Sequence, residues 1–133
     1  MGLDTTHDCW HGPYTSFTRF RNALAVAAGY TMETRSDRYG SYLVPGGVPD
    51  SLFTDGHAAG EWSEAPDDPL VLLICHSDCS GVIYPRHATL LADRIEGLLS
   101  AIDESDDHTR QKAIRFMNGL RDAAASNELV EFG

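Results

Sequence analysis

Leu70-Val71-Leu72-Leu73-Ile74-Cys75-His76-Ser77-Asp78-Cys79-Ser80-Gly81 is the stretch on which the reading of the fold turns. An apolar run ends at an imidazole, a hydroxyl, a carboxylate and a thiol, and a glycine follows closely. The run does not alternate, so it reads as a strand buried on both faces. A buried strand that delivers polar groups at its C-terminal end is how layered α/β proteins build sites. The stretch therefore predicts both a central strand and the place of a ligand or a reacting group.

Working outward, Pro66-Asp67-Asp68-Pro69 reads as a turn into that strand. Gly81-Val82-Ile83 reads as a short extended piece, and Pro85 suits the first position of a helix. That helix is expected to reach about Asp103, with Leu91, Ile95, Leu98, Leu99 and Ile102 on its inner face. The acidic link Glu104-Ser105-Asp106-Asp107 favours the start of another helix. This one spans residues 109–125, with Ile114, Met117, Leu120 and Ala124 expected inside. Asn127 ends it, and residues 129–132 read as a terminal strand.

Toward the amino end, residues 2–11 read as extended until Gly12-Pro13 breaks them. A helix over residues 16–28 follows, with Thr15 or Ser16 as N-cap and Gly29 as its stop. Tyr14, Phe17, Phe20, Leu24 and Ala28 form its apolar stripe, which leaves Arg19, Arg21 and Asn22 outside. Residues 29–69 carry no sustained period, apart from a strand over residues 39–44 that ends at Pro45. The rest of that region reads as a lid, a binding loop or a variable insertion.

The element order predicts an α/β or α+β protein: three helices packed on a small mixed sheet, with a long irregular loop between the first helix and the central strand. At 133 residues the chain is expected to be one globular domain, with residues 30–69 as its variable part. Hydrophobic content of 42% and charged content of 23% are ordinary for a soluble protein. The longest apolar run is too short to span a bilayer, and no signal peptide opens the chain, so no membrane and a cytoplasmic location are expected. A net charge of −10, from 20 acids against 10 bases, argues against duplex nucleic acid as a partner. Lys112 is the only lysine. Three cysteines without an export signal argue against a disulfide framework.

Three constellations carry chemistry. In an extended chain His7, Cys9 and His11 share a face. With His76 and Cys79 they offer the nitrogen and sulfur donors that a tetrahedral zinc site needs, although the spacing matches no zinc finger. Cys79 is also placed for nucleophilic work, with His76 or His11 as base and Asp78 or Asp4 as orienting acid. This is a cysteine hydrolase without a known order or spacing. Finally, Trp10-His11-Gly12-Pro13-Tyr14 running into Arg19 and Arg21 resembles an edge that stacks on and clamps a nucleotide-sized anion. The helix start at Thr15-Ser16 adds backbone donors for phosphate, and Arg86 and Arg94 are candidates to join. The same spacing makes Tyr14, Phe17 and Phe20 core residues.

Met1-Gly2-Leu3-Asp4, then Trp10-His11-Gly12 with Tyr14, Phe17, Arg19 and Arg21, then His76-Ser77-Asp78-Cys79 with Gly81 and Ile83, form a pattern. It resembles a group of short proteins from phages, prophages and actinobacteria. The likeness covers both ends of the chain, and Ser80 stands where members often have an acid. It implies a viral or mobile-element origin and hence a host-cell cytoplasm. It carries no activity, cofactor or catalytic residue with it.

Together these readings predict a small-molecule binder, with no cofactor of its own, whose ligand is polar and nucleotide-like. The expected ligand residues are Trp10, His11, Tyr14, Arg19, Arg21, His76, Ser77, Asp78 and Cys79. Sequestration of a host defence signal is one use for such a protein. The alternatives are a hydrolase working through Cys79, His76 and Asp78 or through zinc, and an acidic module that docks a basic partner.

Overall fold

The computed structural model describes residues 2–37, 40–46, 65–76 and 81–133. Ser77, Asp78, Cys79 and Ser80, with residues 47–64 of the expected loop, lie outside them. The elements are β1 (Gly2–Asp4), β2 (His11–Pro13), α1 (Tyr14–Ala27), β3 (Met32–Asp37), β4 (Gly40–Pro45), α2 (Val71–Ile74), β5 (Val82–Ile83), α3 (Pro85–Leu98), α4 (Asp107–Ala125) and β6 (Val130–Glu131). Single 3-10 turns lie at Thr6–Asp8 and Leu99–Ala101.

This is an α+β fold. Among the described residues every pairing is antiparallel, so the sheet is not mixed: β1 pairs with β2, β3 with β4, and β5 with β6. An antiparallel bridge between Thr5 and Phe132 joins two of these pairs in the order β2-β1-β6-β5. The amide of Gly133 donating to the Asp4 carbonyl (3.0 Å) extends that join.

The expected central strand is a helical turn. Pro69 fixes a helical φ at its start, and the Asp68 carboxylate accepts from the Leu70 amide at 3.0 Å. The amides of Val71 and Leu72 then donate to the carbonyls of Asp68 and Pro69, and that of Ile74 to Leu70. Val71, Leu72, Leu73 and Ile74 are all buried, so α2 is apolar all round because it is enclosed all round. A short apolar run carries no period that separates such a turn from a buried strand.

The amino-terminal segment is not extended throughout either. Between β1 and β2 the chain folds back through His7 and Asp8, both at positive φ (59° and 56°). In the expected loop, β3 pairs with the expected β4 from Met32↔Pro45 to Asp37↔Gly40. Met32-Glu33-Thr34-Arg35-Ser36-Asp37 alternates too weakly in polarity to announce a strand.

The helices follow their patterns. α1 starts two residues early, with Pro13 at the N-cap, and ends as expected at Gly29 (φ 92°). Its closing bond runs from the Tyr30 amide to the Ala25 carbonyl. Asp106 caps α4, accepting from the Thr109 amide at 3.1 Å, and Asn127 at φ 53° stops it. α3 and α4 lie side by side. α4 turns Ala113, Phe116, Leu120 and Ala123 inward, whereas Ile114, expected inside, is 37% exposed.

The core is one cluster drawn from both ends of the chain. Phe17 contacts Trp10, Phe116 and Phe132, with ring centroids 5.2, 6.5 and 6.1 Å away. Phe20 stacks on Trp10 at 5.1 Å. Asp68 forms a second clasp: it accepts from Arg94 Nε (3.0 Å) and Tyr30 Oη (2.8 Å). Burial raises its pKa, but the bonds from Arg94, the Leu70 amide and Tyr30 outweigh that and hold it below the usual carboxylate range. Burial, followed by the bond to Asp68, pushes the Tyr30 hydroxyl up to about 12.

Candidate functional site

The fold-back between β1 and β2 lays residues 6–9 across the middle of α4. A Cβ on Gly119 would come within 2.5 Å of Cys9 Sγ and 2.7 Å of the His7 carbonyl, so only glycine admits this close approach. Arg115 fixes the turn, donating from Nε to the Asp8 carbonyl at 3.0 Å and from Nη2 to the Asp8 carboxylate. His7 donates from Nδ1 to Asp122 at 3.3 Å, and its Nε2 lies 3.7 Å from Glu128. Two consecutive left-handed residues other than glycine persist only where neighbours hold them in this way.

Two concavities flank the turn and meet at Arg115. The larger is a groove of about 680 Å³ along α4, with His7, Asp8, Arg110, Asn118 and Asp122 in its walls. Its size is that of a small-molecule site. The smaller, of about 140 Å³, is lined by Trp10, His11, Gly12, Ser16, His108, Lys112 and Arg115 among others.

No described carboxylate lines the smaller concavity. His108, Lys112 and Arg115 reach it from one face of α4, at spacings of four and three. Lys112 Nζ stands 5.0 Å above the Trp10 ring and makes no ion pair with a described carboxylate. Beneath, the buried Trp10 Nε1–H has no hydrogen-bond partner among the described residues. A Cβ on Gly12 would sit 3.6 Å from it. The first turn of α1 opens here, and no side chain caps it. Its amides therefore add positive potential. At the rim, His11 Nδ1–H donates to the Asp4 carboxylate. That bond leaves Nε2 as the ring nitrogen not engaged by Asp4.

The predicted site is thus divided. Trp10 and His11 belong to this concavity, His76 does not line it, and Ser77, Asp78 and Cys79 lie outside the described residues. Tyr14 is half-buried against the core, and Arg19 is exposed on α1. Arg21 is part of the interior: its guanidinium lies 4.5 Å over Phe17 and donates to the carbonyls of Ile74 and His76. His76, 3% exposed, stacks on Phe132 at 3.8 Å and donates from Nε2 to the Val82 carbonyl at 3.2 Å. Trp10 and His76 therefore belong to the same core, linked through Phe17 and Phe132, rather than to the same cavity. Arg86 lies over Tyr84, and Arg94 is held by Asp68, so neither joins.

The amino-terminal part of the zinc set loses its geometry, whereas Cys79 and Asp78, on which the nucleophile reading stands, lie outside the described residues. His7, Cys9 and His11 do not share a face, because the turn points them at Asp122, into the core and at Asp4. Burial pushes the Cys9 thiol up to about 12, against the bond to Thr5 that lowers it, so it holds its proton. Among the described residues no three of His, Cys, Asp and Glu gather as a metal set. No described helix is long and apolar enough to cross a membrane.

No family model, curated protein or solved structure matches the chain. The site therefore rests on its own chemistry. His108, Lys112 and Arg115 were not expected in it. Their spacing on one helix face beside the Phe116–Leu120 stripe is a sequence signal, but it equally describes a solvated face.

Proposed function

We propose that the protein binds a small phosphorylated, nucleotide-like ligand, with the anion in the concavity of Lys112 and the rest along the α4 groove. The observation that carries this is the meeting of Lys112, Arg115, His11 and His108 around an indole N–H without a partner among the described residues, in a chain of net charge −10. A field this negative repels anions in bulk, so a wall of bases without a lining carboxylate has a local purpose. Arg115 and His11 are already held by Asp8 and Asp4, which leaves Lys112, among the described residues, as the charge available to a ligand. The groove beyond offers Asn118 and Asp122, groups that pair with hydroxyls and ring edges. In this reading the likeness to phage and prophage proteins gives the binding a use: sequestration of a host nucleotide signal.

A thermal-shift panel of nucleoside mono-, di- and triphosphates and cyclic nucleotides tests it, since binding to the native state alone raises Tm. At least one compound is expected to raise Tm, and Lys112→Met to weaken it about tenfold, equivalent to about 1.4 kcal/mol. A panel without any shift on folded protein contradicts the reading.

A further inference from the structure

We propose that this concavity also cleaves its ligand, hydrolysing a phosphodiester with His11 as general base and His108 as general acid. The inference rests on the binding reading above and adds a reaction to it. A site that only held phosphate would need donors. This one also has a histidine backed by a carboxylate.

The Asp4 carboxylate takes the His11 Nδ1–H, which leaves Nε2 as the ring nitrogen for a reacting group. A carboxylate behind an imidazole orients the ring and stabilises the cation that forms when the ring takes a proton. Both His11 and Asp4 side chains are exposed, so the pairing is not required to satisfy buried groups. His108 lines the same concavity from α4, one helical turn before Lys112. The charged and titratable groups around the pair, among the described residues, are Asp4 on β1, Asp8 and Cys9 in the turn, and His108, Lys112 and Arg115 on α4. Two imidazoles beside the Lys112 ammonium form an acid–base pair next to a cation, the arrangement that phosphoryl chemistry uses.

The step balances with water as co-reactant. His11 Nε2 takes a proton from water as its oxygen attacks phosphorus. The P–O bond to the leaving alcohol breaks, and His108 supplies the proton that this oxygen needs. Lys112 answers the charge that builds on the non-bridging oxygens. The products are a phosphomonoester and an alcohol; a cyclic nucleotide gives both on one molecule. The two histidines return to their starting states by proton exchange with solvent. Asp4 touches no reacting atom and is a positioning residue.

The test incubates the full chain, in EDTA, with 2′,3′-cyclic AMP and 3′,5′-cyclic AMP, followed by phosphorus NMR. Turnover of at least one is expected, with a bell-shaped pH profile because one imidazole acts neutral and the other charged. His11→Ala and His108→Ala should each lower kcat about 100-fold or more, read at saturating nucleotide so that a change in binding is separated from the loss of chemistry. Their side chains are exposed, so the fold survives. Asp4→Asn should lower kcat more than it changes KM and should move one limb of the pH profile, which a merely structural change would not do. Absence of turnover with nucleotide binding intact overturns the reaction and leaves the binding site standing. Turnover that both histidine variants retain also overturns it. Loss of binding and turnover together contradicts both readings.

Discussion

Arg21 with His76 and Lys112 with His11 are built from the same chemistry and end in opposite roles. Each pair sets a cation and an imidazole beside an aromatic ring: Phe17 and Phe132 in one case, Trp10 in the other. In the interior pair the described hydrogen bonds run to main chain. Arg21 closes the C-terminal carbonyls of α2, and His76 donates to Val82. In the outer pair the imidazole is turned by a carboxylate and the cation faces a concavity. What separates a structural clasp from a site is which partner the backbone leaves over, not which residues are present.

Three substitutions or conditions sharpen this contrast. The largest effect is expected at Phe17, which bridges the two regions. Phe17→Ala should cost about 3–5 kcal/mol in urea unfolding, since the ring is fully buried among Trp10, Phe116 and Phe132. A loss below about 1 kcal/mol would mean that the two ends of the chain are not joined through this ring.

Next comes Arg21→Met, which keeps much of the stem but leaves the Ile74 and His76 carbonyls without that donor. The expected cost is about 1–3 kcal/mol of stability, with nucleotide affinity unchanged. The reverse outcome, lost affinity at full stability, would return Arg21 to the binding site and erase the contrast.

The smallest effect lies in acid. Burial, then the charge of Arg86, lowers the pKa of His87, so the unfolded chain takes a proton that the folded one resists. Stability should therefore begin to fall as pH drops below the unfolded value of about 6.5. Asp68 adds a second loss. Its folded pKa is lowered, so its contribution is present above the unfolded value of about 3.9 and disappears as pH falls through the folded one. Urea midpoints against pH should show both declines, His87→Gln removing the upper and Asp68→Asn the lower.

Much of the helical architecture was legible because repeated patterns specify it. Phe17, Phe20 and Leu24 recur at helical spacing, and Pro85, Asp106, Gly29 and Asn127 act as starts and stops. Residues 70–75 were not legible, because a single apolar turn between a proline and a polar cluster has too few residues to show a period. Ile114 was misread inward by position, while Phe116 two residues on takes the core. Half of the site was visible: Trp10 and His11 stand out in sequence. The other half was hidden because His108, Lys112 and Arg115 meet them only through the left-handed turn at His7 and Asp8. No residue type predicts that turn; it depends on Gly119 and Arg115, more than a hundred positions away.

The most direct measurement is a proton–nitrogen NMR titration of the protein with AMP, observing the Trp10 indole N–H. That donor has no partner among the described residues and lies under Gly12 at the concavity floor, so its resonance should move with ligand, together with the amides at Ser16 and Lys112. Lys112→Met should suppress the movement. Saturable shifts confined to the amides around residues 74–83, with the Trp10 indole unmoved, would contradict the account.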